Sequence, residues 1–176
     1  IQEKWLADLE QFVKDYPAAP NAPDAMLQLA IAEEFAGNDD GAVSWYGRIA
    51  KEFAGAPSAD KAAGAKRRIE SVGQPLVLSG TSSDGKKVDV QSYRGKVVLV
   101  HYWSTLYSNC LPGLSVLKDM QAKYGKDKLV LIGVNVDGNR TSFEEYLREN
   151  ALPWVQLHEP GGLDSPLANA YGVLVL

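Results

Sequence analysis

The spacing of apolar residues along the 176-residue chain changes near residue 74. Before this point, apolar residues recur at the period of an amphipathic helix that packs on one face. Proline- and glycine-rich breaks divide this part into four predicted helices, near residues 2–16, 23–36, 40–54 and 58–72. The pattern therefore predicts an all-helical first region over residues 1–73.

Beyond residue 74, runs of β-branched and apolar residues alternate with helical stretches. Asp84 and Gly85 indicate a tight turn between two short strands. The runs KVVLVHYW and KLVLIGVNV are apolar on both faces, as strands buried between helices are. Three helices are predicted near residues 109–124, 142–150 and 165–171, and one short strand near residues 154–157. This alternation predicts an α/β domain with parallel central strands over residues 74–176.

The helical region contains an internal repeat. The segment FVKDYPAAPNAPDA, at residues 12–25, is echoed 37 residues later by IAKEFAGAPSADKA. A period of this length, with small residues where helices approach closely, indicates stacked helical hairpins. The region resembles a tetratricopeptide unit, with small and aromatic positions at Leu29, Ala30, Ala42 and Tyr46. The resemblance implies a surface for an unknown protein or peptide partner. The alternative is a helical spacer whose aromatic residues only fill its own core.

Composition narrows the classes of function. The 18 Lys and Arg residues and 22 Asp and Glu residues give a net charge of −4, which argues against nucleic acid as a partner. The longest apolar run, Val97–Trp103, is far shorter than the roughly 20 residues that a membrane-spanning helix needs. One cysteine, two histidines and scattered carboxylates do not suggest a metal site, and no cofactor is predicted.

Four motifs in the second half carry a family resemblance, in the order DGKKVDVQSYRGKVVLVHYWST, LSVLKDMQAKYG, LVLIGVNVD and ANAYGV. From about residue 76 onward the chain resembles thioredoxin-like redoxins of the TlpA/ResA type, which are close to the AhpC/TSA group. The resemblance implies a thioredoxin-like fold and thiol-disulfide oxidoreductase activity. It also implies an extracytoplasmic location, periplasmic or tethered to a membrane.

The reactive motif of this family is altered. When W-A-T-W-C-x-x-C is aligned with WSTLYSNC, the second family cysteine falls on Cys110 and the first on Tyr107. The first thiol attacks the substrate and the second resolves the mixed disulfide, and tyrosine forms no disulfide. The resemblance therefore implies a degenerate active site, without dithiol oxidoreductase activity, in a domain that acts as a binding or scaffolding module.

Two enzymatic readings remain open. Cys110 lies at the start of a predicted helix, where unpaired backbone N–H groups stabilise a thiolate. Strand alternation places His101 on the same face as Leu99 and Trp103. His101 could then activate Cys110 in a one-cysteine peroxidase or a monothiol oxidoreductase, whereas a neutral, hydrogen-bonded core histidine is the alternative. In the other enzymatic reading, which the family resemblance implies, the protein is an ordinary thiol-disulfide oxidoreductase in which Tyr107 is tolerated or a cysteine of a partner compensates for it.

The two ends of the chain carry expectations of their own. IQEKW lacks an initiating methionine, so the native start is expected to have been removed. The family pattern continues past a Y-G-V segment with a cis-proline and further strands, so a chain ending at Leu176 implies an incomplete thioredoxin-like domain. Residues 97–103 would then lie at or near an exposed apolar edge, which invites strand pairing with another chain.

Overall fold

The computed structural model describes residues 2–176. The chain divides into two compact units. The first unit consists of Ile1–Gln74 together with Asn169–Gly172, and the second consists of Pro75–Ala168 together with Val173–Leu176.

Four helices of 14 residues each form most of the first unit: α1 (Gln2–Asp15), α2 (Ala22–Phe35), α3 (Asp39–Glu52) and α4 (Pro57–Glu70). Each lies within two residues of its predicted bounds. Proline in the first turn favours the starts of α2 and α4, because its missing N–H would have no helical partner there. Asn38 caps α3, since its side chain accepts the N–H of Gly41 at 3.2 Å.

Small residues dominate the core of the helical unit. Helix α2 contacts α1, α3 and α4. Buried alanines at the contacts let the backbones approach closely, and Met26, Tyr46 and Ile49 fill the remaining space. Leu29, Ala30, Ala42 and Tyr46 are all buried, so these repeat positions serve the core of the unit. Whether the unit also offers a tetratricopeptide-type binding surface stays a prediction.

A polar cluster crosses this helical core. The hydroxyl of Tyr46 donates a hydrogen bond to Glu34 Oε2 at 3.0 Å, and the Arg68 guanidinium donates to both oxygens of Glu34 at 2.6 and 3.0 Å. The bond from Arg68 lowers the pKa of Glu34, while burial and the neighbouring Glu34 charge raise the pKa of Tyr46. Ionised Glu34 therefore joins helices α2, α3 and α4.

Helix α4 also holds the turn at Asn169–Gly172. Arg67 and Arg68 donate hydrogen bonds to the carbonyl oxygens of Ala170 and Tyr171, at 2.8 and 3.0 Å. The backbones meet at Gly64, where a Cβ would collide with the carbonyl oxygen of Asn169. Glycine is needed at this position because the obstacle is backbone, which does not swing aside as a side chain does.

The second unit is built on two sheets. Strands β1 (Ser79–Thr81) and β2 (Lys87–Asp89) form an antiparallel pair. Strands β3 (Val97–Trp103), β4 (Leu129–Asn135) and β5 (Val155–His158) form a parallel sheet in the order β3-β4-β5. Its helices are α5 (Leu111–Tyr124), α6 (Arg140–Glu149) and α7 (Pro166–Asn169). The predicted α/β architecture with parallel central strands is confirmed.

Strand β3 lies at an edge of this sheet. The N–H of Val97 bonds the carbonyl of Lys128 at 3.0 Å, and the carbonyl of Trp103 accepts the N–H of Val136 at 2.9 Å, so the odd-numbered residues of β3 face β4. The backbone groups of Val98 and Val100 consequently point away from β4. Within residues 2–176, β4 is the only strand that pairs with β3.

One apolar core of the α/β unit is formed by the parallel sheet and helices α5 and α6. It is formed by buried apolar residues at Trp103, Leu114, Leu117, Leu129, Leu131, Phe143 and Trp154. Trp103 lies edge-on to Phe143, with ring centroids 6.1 Å apart, and its centroid is 5.1 Å from that of Tyr146. These contacts hold the side chain of Trp103, the last residue of β3.

Candidate functional site

The candidate site is the connection between β3 and α5. Strand β3 ends at Trp103, a short 3-10 turn covers Ser108–Cys110, and α5 begins at Leu111. The N–H of Cys110 bonds the carbonyl of Tyr107 at 3.0 Å, which closes the turn. Pro112 lies in the first turn of α5, where its fixed φ favours the helix. The structure thus places Cys110 as the residue that immediately precedes the helix.

Tyr107 is at the surface of this loop. Its side chain is 45% exposed and that of the preceding Leu106 is 74% exposed, so two large apolar side chains project from the loop into solvent. In the motif alignment, Tyr107 occupies the position of the attacking thiol. The phenol at that position forms no disulfide.

Cys110 is a free, half-buried thiol. It packs against the aromatic and aliphatic core that contains Trp103 and Leu114. The sequence contains one cysteine, so no second thiol of this chain lies within bonding reach. The site therefore presents one sulfur between an apolar core and a helix start.

His101 lies beneath the first turn of α5. A Cβ placed on Gly113 would lie 3.8 Å from His101 Nε2, so the imidazole reaches the helix three residues past Cys110. The ring is half-buried, and burial lowers the pKa of His101, which keeps it uncharged at pH 7. Among residues 2–176, no hydrogen bond joins the imidazole to the Cys110 sulfur, and His101 Nδ1 is buried without a partner.

A buried carboxylate holds the loop before the cysteine. Asp137 is 1% exposed, and it accepts hydrogen bonds from the hydroxyl of Ser104, the N–H of Thr105 at 2.8 Å, the hydroxyl of Thr105 at 3.0 Å and the amide of Asn135 at 3.0 Å. The four donors replace the water that this carboxylate gives up on burial. Asp137 therefore ties the end of β4 to the loop that follows β3.

The same network extends on both sides of Asp137. The N–H of Leu106 bonds Ser104 Oγ at 3.1 Å, so the loop is fixed up to the residue before Tyr107. On the other side, His158 Nε2 lies 3.2 Å from the carbonyl oxygen of Asp137, and its ring stacks on Phe143 at 5.0 Å. The carboxyl ends of β3, β4 and β5 are thus joined through one polar cluster.

Sequence reasoning missed this cluster. The available signal was the polar pair Asn135 and Asp137, directly after the apolar run LVLIGV. The carboxyl ends of parallel strands lie at the same edge of the sheet, which is where functional residues gather in α/β folds. Of the residues singled out from the sequence, the structure places Tyr107 and Cys110 in one turn and brings His101 under the same helix.

The Trp103 side chain is held from a neighbouring strand. Its indole N–H donates to Gln156 Oε1 at 3.0 Å. Gln156 lies opposite Gly133 in the sheet, and a Cβ at Gly133 would collide with the Gln156 amide. Gly133 therefore leaves the space through which Gln156 reaches Trp103.

The connection between β3 and α5 combines three chemical groups. Cys110 supplies one thiol, His101 of β3 supplies an uncharged imidazole that is not hydrogen-bonded to it, and Tyr107 supplies an exposed phenol. The buried carboxylate of Asp137 holds the loop that precedes Tyr107. Within the part of the chain that the structure describes, no cluster of three or more His, Cys, Asp or Glu residues could hold a metal ion.

Comparison with known proteins points to one family. Residues 95–175 match the model of a family described as thioredoxin-like. The thiol-disulfide oxidoreductase ResA of Bacillus thuringiensis is 22% identical over 96 residues, which cover 54% of each protein. ResA of Oceanobacillus iheyensis is 23% identical over 79 residues, covering 45% of this chain and 41% of the relative. The chain spans about half the length of the curated relatives it matches.

A solved structure supports the same fold. A thiol-disulfide oxidoreductase from Bacteroides fragilis superposes with a TM-score of 0.51 at 22% identity, covering 57% of this chain and 76% of that one. The second half of this chain has a thioredoxin-like fold. It is similar in sequence to the ResA relatives, so the resemblance to TlpA/ResA-type redoxins that the four motifs predict is confirmed.

Proposed function

We propose that this redoxin domain lacks dithiol oxidoreductase activity and acts as a binding or scaffolding module. The observation that carries the proposal is Tyr107, an exposed tyrosine at the position of the attacking thiol, in a chain with one cysteine. Thiol-disulfide exchange needs a thiolate that forms the mixed disulfide and a second thiol that releases it. Cys110 alone supplies only one of these groups.

The preserved loop supports a binding role. Asp137 and Ser104 fix the backbone up to Leu106, so the exposed side chains of Leu106 and Tyr107 are presented from a rigid base. Ordered aromatic side chains contribute strongly to protein interfaces, because they bury a large area at a low cost in conformational entropy. The proposed ligand is therefore a protein or peptide that contacts the surface where the enzymes of this family meet their substrates.

Insulin reduction tests this proposal. The wild-type chain should reduce insulin disulfides no faster than its Cys110→Ser variant. The variant Tyr107→Cys restores the C-x-x-C spacing and should gain activity if the missing thiol is the principal defect. Turnover by the wild-type chain that Cys110→Ser abolishes would contradict the proposal.

A second candidate function uses Cys110 as a lone nucleophile, in a peroxidase or a monothiol oxidoreductase. The position of His101 beneath the first turn of α5 favours it, because an uncharged imidazole near a thiol can take up its proton. Alkylation by iodoacetamide separates the two functions. Rapid alkylation at pH 6 that slows in His101→Gln supports the enzyme. Slow alkylation at pH 6, unchanged in His101→Gln, supports the binding module.

The remaining expectations are part of the same proposal. The helical unit is proposed to bind a protein or peptide partner, and the outer edge of β3, at Val98 and Val100, to pair with a strand of another chain. A partner cysteine opposite Cys110 would be detected as a mixed disulfide in wild-type pull-downs, absent from Cys110→Ser.

An extracytoplasmic location, with or without a membrane tether, is proposed from the family resemblance. No helix within residues 2–176 has both the length and the apolarity to span a bilayer.

A further inference from the structure

The α/β unit has a cleft at the end of the sheet away from Cys110. The cleft encloses about 510 Å³ and is lined by the first residues of β4 and β5, among them Leu129, Leu131 and Val155. Cys110 follows the carboxyl end of β3, and the three strands are parallel, so the cleft lies at the opposite edge of the sheet. Its volume is within the range of about 300–1,000 Å³ that small-molecule sites occupy.

Three buried polar side chains from different elements line this cleft. Gln121 of α5, Trp154 before β5 and Gln156 of β5 are 8%, 8% and 3% exposed. Each has a buried polar atom without a hydrogen-bond partner among residues 2–176, namely Gln121 Oε1, Trp154 Nε1 and Gln156 Nε2. A buried polar atom without a partner costs about 1–3 kcal/mol, and such a cost is unusual at three positions around one space.

Two of the three unpartnered atoms are N–H donors and therefore favour a hydrogen-bond acceptor as ligand. The indole Nε1 of Trp154 is a donor only. Gln156 is oriented by Trp103, which donates to its Oε1 at 3.0 Å, so its Nε2 is also a donor. The N–H groups of Trp154 Nε1 and Gln156 Nε2 are therefore both without partners. A pair of ligand oxygens would satisfy both of them.

The rim of the cleft favours negative charge. Lys96 and Lys126 are exposed and line the cleft, and Lys96 Nζ donates to the carbonyl of Lys126 at 3.2 Å. Asp84 also lines the cleft, but its carboxylate is 2.6 Å from Lys86 Nζ and is paired with it. The charge left at the rim is positive, which attracts an anion to an apolar cleft.

We propose that this cleft is a binding site for a small carboxylate with an apolar body. The carboxylate oxygens accept from Trp154 Nε1 and Gln156 Nε2 and face Lys96 and Lys126. The apolar body packs against Leu129, Leu131 and Val155. Gln121 lines the same space, and its unpartnered Oε1 accepts a hydrogen bond from a donor group of the ligand.

Benzoate is the probe, and the indole N–H signals of the full 176-residue chain in ¹H–¹⁵N spectra are the readout. The four tryptophans give four indole signals, and Trp154→Phe identifies one of them. Benzoate should shift the Trp154 signal saturably, while the signals of Trp5 and Trp45 in the helical unit stay in place. Neutral benzamide at equal concentration should shift it much less.

Charge variants at the rim complete the test, because both lysines are exposed and their replacement leaves the core intact. The double variant Lys96→Gln, Lys126→Gln should weaken benzoate binding by about three- to tenfold, the loss expected for two exposed charge contacts. Lys118→Gln, Lys123→Gln is the matched control on exposed positions of α5 and should bind as the wild type does. An unmoved Trp154 signal at about twenty millimolar benzoate, an equal response to benzamide, or unchanged affinity in the rim variant would overturn the proposal.

Discussion

The carboxylate of Asp137 accepts hydrogen bonds from both the N–H and the hydroxyl of Thr105, at 2.8 and 3.0 Å. The two residues belong to segments that follow different strands, β4 and β3. The contact therefore fixes the start of the cysteine-bearing loop from the neighbouring strand. Together with the hydrogen bond from Leu106 N–H to Ser104 Oγ, it keeps the loop before Tyr107 ordered.

Asp137→Asn should destabilise the domain by about 2–3 kcal/mol, because the amide N–H₂ would face hydrogen-bond donors and leave buried groups unpaired. Urea unfolding measures this loss. The exposed Asp119 of α5 provides the matched control, and Asp119→Asn should change the free energy of unfolding by less than about 0.5 kcal/mol. Equal stability of the two variants would show that Asp137 does not anchor the loop.

Features of the fold that depend on local sequence patterns were predicted from the sequence. The four N-terminal helices, the parallel strands and the position of Cys110 at a strand-to-helix junction follow from periodicity, turn residues and motif order. The Asp137 cluster did not follow, because it depends on which strand ends are neighbours. The contact of Gln156 with Trp103 depends on the register of β5 against β4, which a single sequence does not encode locally.

The contact between Gly133 and Gln156 gives a second prediction. Gly133→Ala places a methyl group against the Gln156 amide and should cost about 1–3 kcal/mol. Gln156→Ala leaves the Trp103 indole N–H without its partner and should cost about as much.

A double-mutant cycle by urea unfolding tests the coupling. In the double variant, the alanine at 156 removes the group with which the new methyl collides. Its total cost should therefore fall short of the sum of the single variants by about 1 kcal/mol or more. Additive costs would mean that Gly133 and Gln156 do not compete for the same space.

The Glu34 cluster predicts a pH dependence of the helical unit. Its hydrogen bond from Arg68 lowers the pKa of Glu34 in the folded state, so the unfolded chain binds the proton more readily. The contribution to stability is present above the ordinary glutamate pKa of about 4.3 and is lost as the pH falls through the lower folded value. Wild-type stability should therefore decline below about pH 5 more steeply than that of Glu34→Gln.

Urea unfolding by circular dichroism between pH 6 and pH 3 provides the measurement. Glu10→Gln, at an exposed position of α1, is the control and should keep the wild-type slope. High salt should weaken the difference only in part, because Glu34 is partly buried. Parallel curves for wild type and Glu34→Gln would contradict the assigned role of the Arg68 contact.

Two helical glycines of the first unit should respond oppositely to the same substitution. Gly64 of α4 faces the carbonyl oxygen of Asn169, whereas the nearest atom to a Cβ on Gly47 of α3 is Lys66 Cε at 3.5 Å, an ordinary contact. Alanine in a helix gains about 1 kcal/mol over glycine, so Gly47→Ala should be neutral or stabilising. Gly64→Ala should lose at least about 2 kcal/mol, because the helix or the turn must move and the bonds from Arg67 and Arg68 weaken. Thermal and urea unfolding of both variants measure these changes in stability. A stabilised Gly64→Ala would show that the turn at Asn169–Gly172 does not rest on α4.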